Sequence, residues 1–182
     1  MNVFYRYRSP LGGITLASDG ECLTGLWFDG QRRFAAALGE PRTERVLSVF
    51  ERTAEWLDLY FGGCEPDFTP PLRVAAEGFR REVLELLLAI PYGKTTTYGR
   101  IAAILAQKRG LENMSARAVG NAVGHNPVLL IIPCHRVIGA DGSLTGYAGG
   151  TDRKERLLRL ENAERSGSYV PRFAGGSDSR QR

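Results

Sequence analysis

Apolar and polar positions alternate near the start of the chain and take up helical spacing from residue 44 onward. Residues 13–18 (GITLAS) alternate, Ser18-Asp19-Gly20 supplies turn chemistry, and 22–28 (CLTGLWF) resumes the apolar pattern, which predicts a β-hairpin. Over 44–61, Val46, Val49, Phe50, Leu57 and Tyr60 predict an amphipathic helix stopped by Gly62-Gly63. The stretch 65–71 holds three prolines in seven residues and reads as a linker. Phe79, Val83, Leu86, Leu87 and Ile90 mark one buried face of a second helix, broken by Pro91-Tyr92-Gly93. Thr97 can cap a helix that turns Ile101, Ile104 and Leu105 inward. Ser115 can cap the next, with Val119, Ala122 and Val123 inside. The polar stretch 107–113 between them fits a helix-turn-helix, although a plain helical hairpin has the same pattern.

Downstream, the apolar run 128–132 is bounded by prolines and predicts a buried extended segment leading to Cys134. Val137-Ile138, a turn at 140–143 and Leu144 predict a small hairpin, 146–150 (GYAGG) a tight loop, and 152–163 a last helix. From Ser166 on, Gly, Ser and Arg dominate, as in a frayed tail. The expectation is an α+β protein in three parts: 1–71, an N-terminal α/β domain with its linker; 72–165, a mostly helical domain; and 166–182, a flexible tail.

Composition narrows the class. Hydrophobic residues at 43% and charged residues at 24% are an ordinary globular mix, and 182 residues can bury a core without staples. The longest apolar stretch, 127–134, falls far short of the roughly 18 residues of a spanning helix. The opening MNVFYRYRSP carries two arginines where a secretory signal needs an apolar run, so a soluble cytoplasmic protein is expected. The net charge of +4 is uneven. Residues 1–75 hold eight Arg and no Lys against ten acids, and 76–165 hold thirteen bases against nine acids. A basic second half hints at a polyanionic partner, though solvated helix faces give the same count.

Three cysteines, Cys22, Cys64 and Cys134, cannot form a paired framework and fit a reducing compartment. The two histidines, His125 and His135, lack metal-ligand spacing, so no metal is expected. Cys22 and Cys64 read as small apolar residues. Cys134 differs because Pro133-Cys134-His135-Arg136 sets a thiol beside two potential cations, which lower a thiol pKa toward the reactive thiolate. In an extended chain His135 would face away, so contact with the thiol needs a bridging water or a turn. On these residues alone a reactive cysteine, a Cys-His hydrolase and a DNA-binding regulator with a structural cysteine all stay open.

The segment 132–138 (IPCHRVI) followed by 146–150 (GYAGG) resembles the active-site signature of the O6-alkylguanine-DNA alkyltransferases, the methylated-DNA–protein-cysteine methyltransferases. Upstream, 90–99 (IPYGKTTTYG), 116–120 (ARAVG) and Asn126-Pro127 match the same family in order. The resemblance runs from about residue 79 to 158, and more loosely over the first hairpin. It implies a ribonuclease-H-like N-terminal domain and a winged-helix-like C-terminal domain with a helix-turn-helix.

The implied activity is direct reversal of O6-alkylguanine, and of O4-alkylthymine, in double-stranded DNA, by one irreversible alkyl transfer to Cys134. No cofactor, membrane or obligatory protein partner is implied, and the protein would join the nucleoid when bound to DNA. By the same resemblance His135 acts as base through a water, Glu155 orients it, and Asn126 braces the turn before Cys134. Tyr98 donates to the guanine ring and helps rotate the nucleotide. Arg117 fills the vacated place in the stack, with Ala116, Ser115 and Thr95 beside it on the DNA. Val137, Tyr147, Ala148 and Leu129 line the base pocket, and the Cys134 and Val137 carbonyls receive the exocyclic amine. Asp152 and Glu155 also fit a plain capping box. The chain departs from relatives in a longer 107–115 connection, in Leu84 in place of Trp, in Ala148 in place of Ser and in Leu129 in place of Pro. A lesion-binding relative lacking the cysteine is the rival reading, against which Cys134 speaks.

Overall fold

Three antiparallel strands, β1 (Val3–Ser9), β2 (Gly12–Ser18) and β3 (Leu23–Phe28), form a sheet in that order. The computed structural model describes residues 3–31, 46–163 and 166–173. Between β2 and β3 the Asp19 carboxylate accepts from the backbone N–H groups of Glu21 and Cys22, closing the expected turn. From Ile14 to Ser18, β2 is buried on both faces, because a helix covers one side and the rest of the chain the other. That helix, α1 (Ser48–Phe61), stacks Phe50 on Tyr5 and Phe61 on Tyr7. It begins four residues later than the pattern predicted. Val46, expected inside, precedes it and is 69% exposed.

The outer edge of β3 is taken up by later parts of the chain. The Leu23 N–H donates to the Pro71 carbonyl and the Arg73 N–H to the Leu23 carbonyl. One step on, the Leu26 N–H donates to the Pro127 carbonyl, and the Leu129 N–H to the Leu26 carbonyl. The apolar run after Pro127 therefore starts as a strand but does not continue extended. The Ile132 N–H turns back to the Val128 carbonyl, with Leu130 in the left-handed region at φ 68°. Such a conformation costs a non-glycine residue about 1–2 kcal/mol. Burial of the whole run holds it there.

Among the described residues the remaining elements are α2 (Gly78–Leu88), β4 (Thr96–Thr97), α3 (Tyr98–Lys108), α4 (Ala116–Val123), β5 (Val137–Ile138) and α5 (Thr151–Leu160). Thr97 caps α3 and Ser115 caps α4, each hydroxyl accepting a backbone N–H one turn ahead, so the helix-turn-helix pair stands where its capping residues put it. Val137-Ile138 does not fold into a hairpin. It pairs in parallel with β4, while Gly139 and Ser143 close a turn between them. The segment 166–173, expected to fray, lies against β4: the Gly167 N–H donates to Thr95 Oγ1 and the Tyr169 N–H to the Thr95 carbonyl. Residues 174–182 of that expected tail lie outside the described residues. One apolar core runs from Val3 through the helices to Leu157. Among the described residues no helix is long and apolar enough to cross a membrane.

Candidate active site

Cys134 opens a single 3-10 turn, Cys134–Arg136, at the end of the strained segment. Pro133 fixes the approach, and the Cys134 N–H donates back to the Ile132 carbonyl at 2.8 Å. Asn126 holds this corner from inside. Its Nδ2 donates to the Ile132 carbonyl (2.8 Å) and to Cys134 Sγ (3.2 Å), and its Oδ1 accepts the Val128 N–H (3.0 Å). The thiol is 3% exposed. Burial pushes its pKa up to about 11, with Asn126 and the Lys154 ammonium pulling the other way. At pH 7 the thiolate fraction is then about 10⁻⁴, so reaction requires a base at the moment of attack.

His135 follows, fully buried. Its Nε2 lies 2.7 Å from Glu161 Oε1, at the end of α5. Burial drives the Glu161 carboxyl up, but His135 and Arg136 overcome it, and the group sits well below the usual carboxylate range. An ionised carboxylate only accepts, so Nε2 carries the proton and Nδ1 presents a lone pair. That Nδ1 is buried and has no hydrogen-bond partner among the described residues. Burial lowers the His135 pKa and Glu161 restores only part of it, so the ring is neutral at pH 7 and able to take a proton. Arg136 grips the same carboxylate through Nε (2.9 Å) and Nη2 (3.0 Å) and donates to the Ile90 carbonyl through Nη1 (2.6 Å).

Above this corner lies a groove of about 1190 Å³, lined by Tyr98, Arg117, Gly120, Gly146, Tyr147 and Ala148 among others. The Tyr98 hydroxyl donates to the Thr145 carbonyl at 3.3 Å. Burial and the neighbouring Cys134 raise its pKa to about 12, which keeps it a proton donor at neutral pH. Tyr147 is buried edge-on to His135, and its hydroxyl has no hydrogen-bond partner among the described residues. Ala116 and Arg117 are exposed in the first turn of α4, beside the groove. Lys154 is fully buried on α5, and its Nζ donates to the Val137 carbonyl at 2.5 Å. Desolvation lowers its pKa to about 8. Among the described residues no group of three or more His, Cys, Asp or Glu side chains is placed to hold a metal ion.

Two family models match the chain: 6-O-methylguanine DNA methyltransferase, ribonuclease-like domain, over residues 3–74, and its DNA binding domain over 78–163. A methylated-DNA--protein-cysteine methyltransferase of Mycobacterium bovis is 42% identical over 158 residues, covering 85% of this chain and 89% of the relative. One from Methanosarcina acetivorans is 39% identical, covering 86% and 96%. The chain belongs to the methylated-DNA–protein-cysteine methyltransferase family. The solved structure of Mycobacterium tuberculosis OGT in complex with DNA superposes with a TM-score of 0.75 at 40% identity, covering 87% of this chain and 92% of that one.

Of the residues carried over from the family signature, Cys134, His135 and Asn126 meet at one buried corner, and Tyr98, Ala116, Arg117, Tyr147 and Ala148 border one groove. Glu155 is not the partner of His135. It points outward on α5 and pairs with Arg159 at 3.0 Å, whereas Glu161, six residues on, reaches the imidazole. The capping box at Asp152 is absent too, because α5 starts one residue earlier, after Gly150, with no side-chain cap. Thr95 is covered by the 166–169 segment and is not on an open face. Leu129 is fully buried against β3 and does not line the groove. The Val137 carbonyl, expected to receive a guanine amine, already accepts from Lys154. Ser115 is exposed and its hydroxyl caps α4.

Three participants escaped the sequence reading. Lys154, Leu157, Leu158 and Glu161 stand at i, i+3, i+4 and i+7, one stripe of α5, so the spacing that buries the leucines also buries the charges. A carboxylate at the C-terminal end of a helix, opposed by the dipole, was the available signal for Glu161. For Tyr60, seventy-five residues before His135, no local signal exists.

Proposed function

We propose that this protein reverses O6-alkylguanine in double-stranded DNA by moving the alkyl group irreversibly to Cys134. The observation that carries the reading is the buried thiol braced by Asn126, next in the chain to a buried His135 whose Nε2 meets the Glu161 carboxylate, under a groove edged by Tyr98 and Arg117. Transfer is a displacement at saturated carbon. The S–H proton leaves toward His135 Nδ1, the Sγ–C bond forms, and the C–O6 bond breaks, its electrons moving into the guanine. A burial-raised thiol is a poor nucleophile until that proton moves, and then a strong one in a dry site. Tyr98, its hydroxyl proton turning from the Thr145 carbonyl to the base, and backbone N–H groups near Ala148 stabilise the departing base, each donor being worth about 3–4 kcal/mol in comparable sites.

The thioether formed has no leaving group for water, so one protein molecule accepts one alkyl group. The reacting carbon lies inside the duplex, so the nucleotide must rotate out, at a cost of about a few kcal/mol. In this reading Arg117, exposed at the rim of the groove, fills the space left behind. O4-alkylthymine presents the same displacement and falls within the same reading. We also place the boundary between a sheet-bearing domain and a DNA-binding domain near residue 72, and the site of action at DNA in the cytoplasm.

Intact mass and peptide mapping test this after incubation with a duplex carrying O6-methylguanine. One methyl on Cys134 per molecule is expected. Methyl on Cys22 or Cys64, or many product equivalents per protein, would refute it, and the latter would favour a hydrolase.

A further inference from the structure

Tyr60 sits in the last turn of α1, on the sheet-bearing side of the molecule, yet its side chain ends at the His135–Glu161 pair. The ring is fully buried, stacked on Trp56 at 5.2 Å and edge-on to Phe61, Tyr92 and His135. Its hydroxyl donates to Glu161 Oε1 at 2.7 Å, and its oxygen lies 3.3 Å from His135 Nε2. Packing alone does not require that hydroxyl, since phenylalanine has nearly the same volume. Nor does the carboxylate need it. Oε1 already receives His135 Nε2–H (2.7 Å) and Arg136 Nη2 (3.0 Å), while Oε2 receives Arg136 Nε (2.9 Å) and the Gly93 N–H (3.1 Å).

We propose that Tyr60 is a positioning residue for alkyl transfer: its hydroxyl draws charge from Glu161 and so holds His135 as a neutral base toward Cys134. All these donors share one anionic charge, and each added donor weakens the pull of the carboxylate on an imidazolium. Without the hydroxyl, Glu161 favours protonated His135, and a ring that already carries the proton cannot take one from the thiol. His135 is also faced by Arg136 beside it, by Lys154 from α5 and by Tyr147 from the groove loop, with Tyr92 behind Glu161. None of these groups changes when the Tyr60 hydroxyl is removed.

The inference rests on the alkyl-transfer reading. The full chain is tested for the rate of methyl transfer to Cys134 from duplex O6-methylguanine across pH, as wild type, Tyr60→Phe and Tyr92→Phe. The Tyr92 hydroxyl bonds to the Leu160 carbonyl instead, so Tyr92→Phe controls for loss of a buried phenol. The acid limb should move up by about half a unit or more in Tyr60→Phe, a hydrogen-bond effect on a coupled pKa. It should stay with wild type in Tyr92→Phe. Site-specific 3-fluorotyrosine at position 60 keeps the packing and strengthens the donor, so it should move the limb down, and it serves if Tyr60→Phe folds poorly. An unmoved or downward limb in Tyr60→Phe, an equal shift in Tyr92→Phe, or an unmoved limb with fluorotyrosine would overturn the proposal. Wild-type protein that transfers nothing would instead remove the alkyl-transfer reading itself.

Discussion

Burial and proton transfer set the behaviour of Cys134 together. With its pKa pushed up to about 11, the thiol would depend, on the proposed reading, on His135 for its reactivity at neutral pH. His135→Ala should slow transfer by about 10²–10⁴-fold at pH 7, the usual worth of a general base. In that variant the rate should climb steadily with pH until the thiol itself ionises, near 11, and a pH–rate profile on duplex substrate checks this. Glu161 is the second residue with a large predicted effect. Glu161→Gln leaves Arg136 buried without its counter-charge, and should cost about 3–5 kcal/mol of stability at pH 7 by urea unfolding. The sign with pH follows from its depressed pKa. The stabilisation is present above the unfolded value of about 4 and fades as pH falls below it toward the folded value. Wild type should therefore lose stability on acidification, and the Gln variant should lose less over the same range.

At the scale of an element, α4 separates stability from function. Its inward side, Val119, Ala122 and Val123, packs into the core, while Arg117 stands exposed at the first turn. A cation there is opposed by the helix dipole by about 0.3–1 kcal/mol, so it is not placed for the helix's benefit. Arg117→Ala should leave unfolding within about 0.5 kcal/mol of wild type, the usual range for a surface change. It should slow repair of duplex DNA far more than reaction with the free base O6-alkylguanine, which has no stack to open. Equal losses on both substrates would assign Arg117 to the pocket and withdraw the flipping role. If the Tyr98 hydroxyl serves the leaving group and its ring aids rotation, Tyr98→Phe, which keeps the ring, should slow both reactions and leave the duplex-to-free-base ratio near that of wild type.

Over the whole molecule, charge and architecture divide differently. The excess of bases lies after residue 75, with the helix-turn-helix and the groove, while the sheet side is slightly acidic. If the basic part tracks the phosphate backbone, affinity for duplex should fall with a log–log salt slope of about −0.9 per phosphate contact. Preference should be strong for the lesion and weak for flanking sequence. Titrations of lesion and plain duplex at several salt concentrations measure both, and salt-independent binding would contradict the DNA reading. The two sides are joined more closely than a linker implies, because β3 carries backbone from residues 71–73 and 127–129 on its edge.

The local and short-range features were legible in the residues themselves. The hairpin of β2 and β3, the capping of α3 by Thr97 and of α4 by Ser115, and the inward faces of the helices follow from periodicity and from hydroxyls that satisfy free N–H groups. The family signature likewise placed Cys134, His135, Asn126, Tyr98 and Arg117 on the chain before any fold was known. Features that depend on partners distant in sequence were not legible. Val137-Ile138 pairs with β4 because two remote segments meet, and the run after Pro127 pairs with β3 only as far as Leu129 before it turns back on Val128. The choice between Glu155 and Glu161 turned on which face of α5 meets His135. The raised pKa of Cys134, beside residues that read as cations, came from burial outweighing charge. Whether a side chain faces solvent or the core is settled only when the elements pack, and in a low-dielectric interior that choice sets pKa, partner and reactivity together.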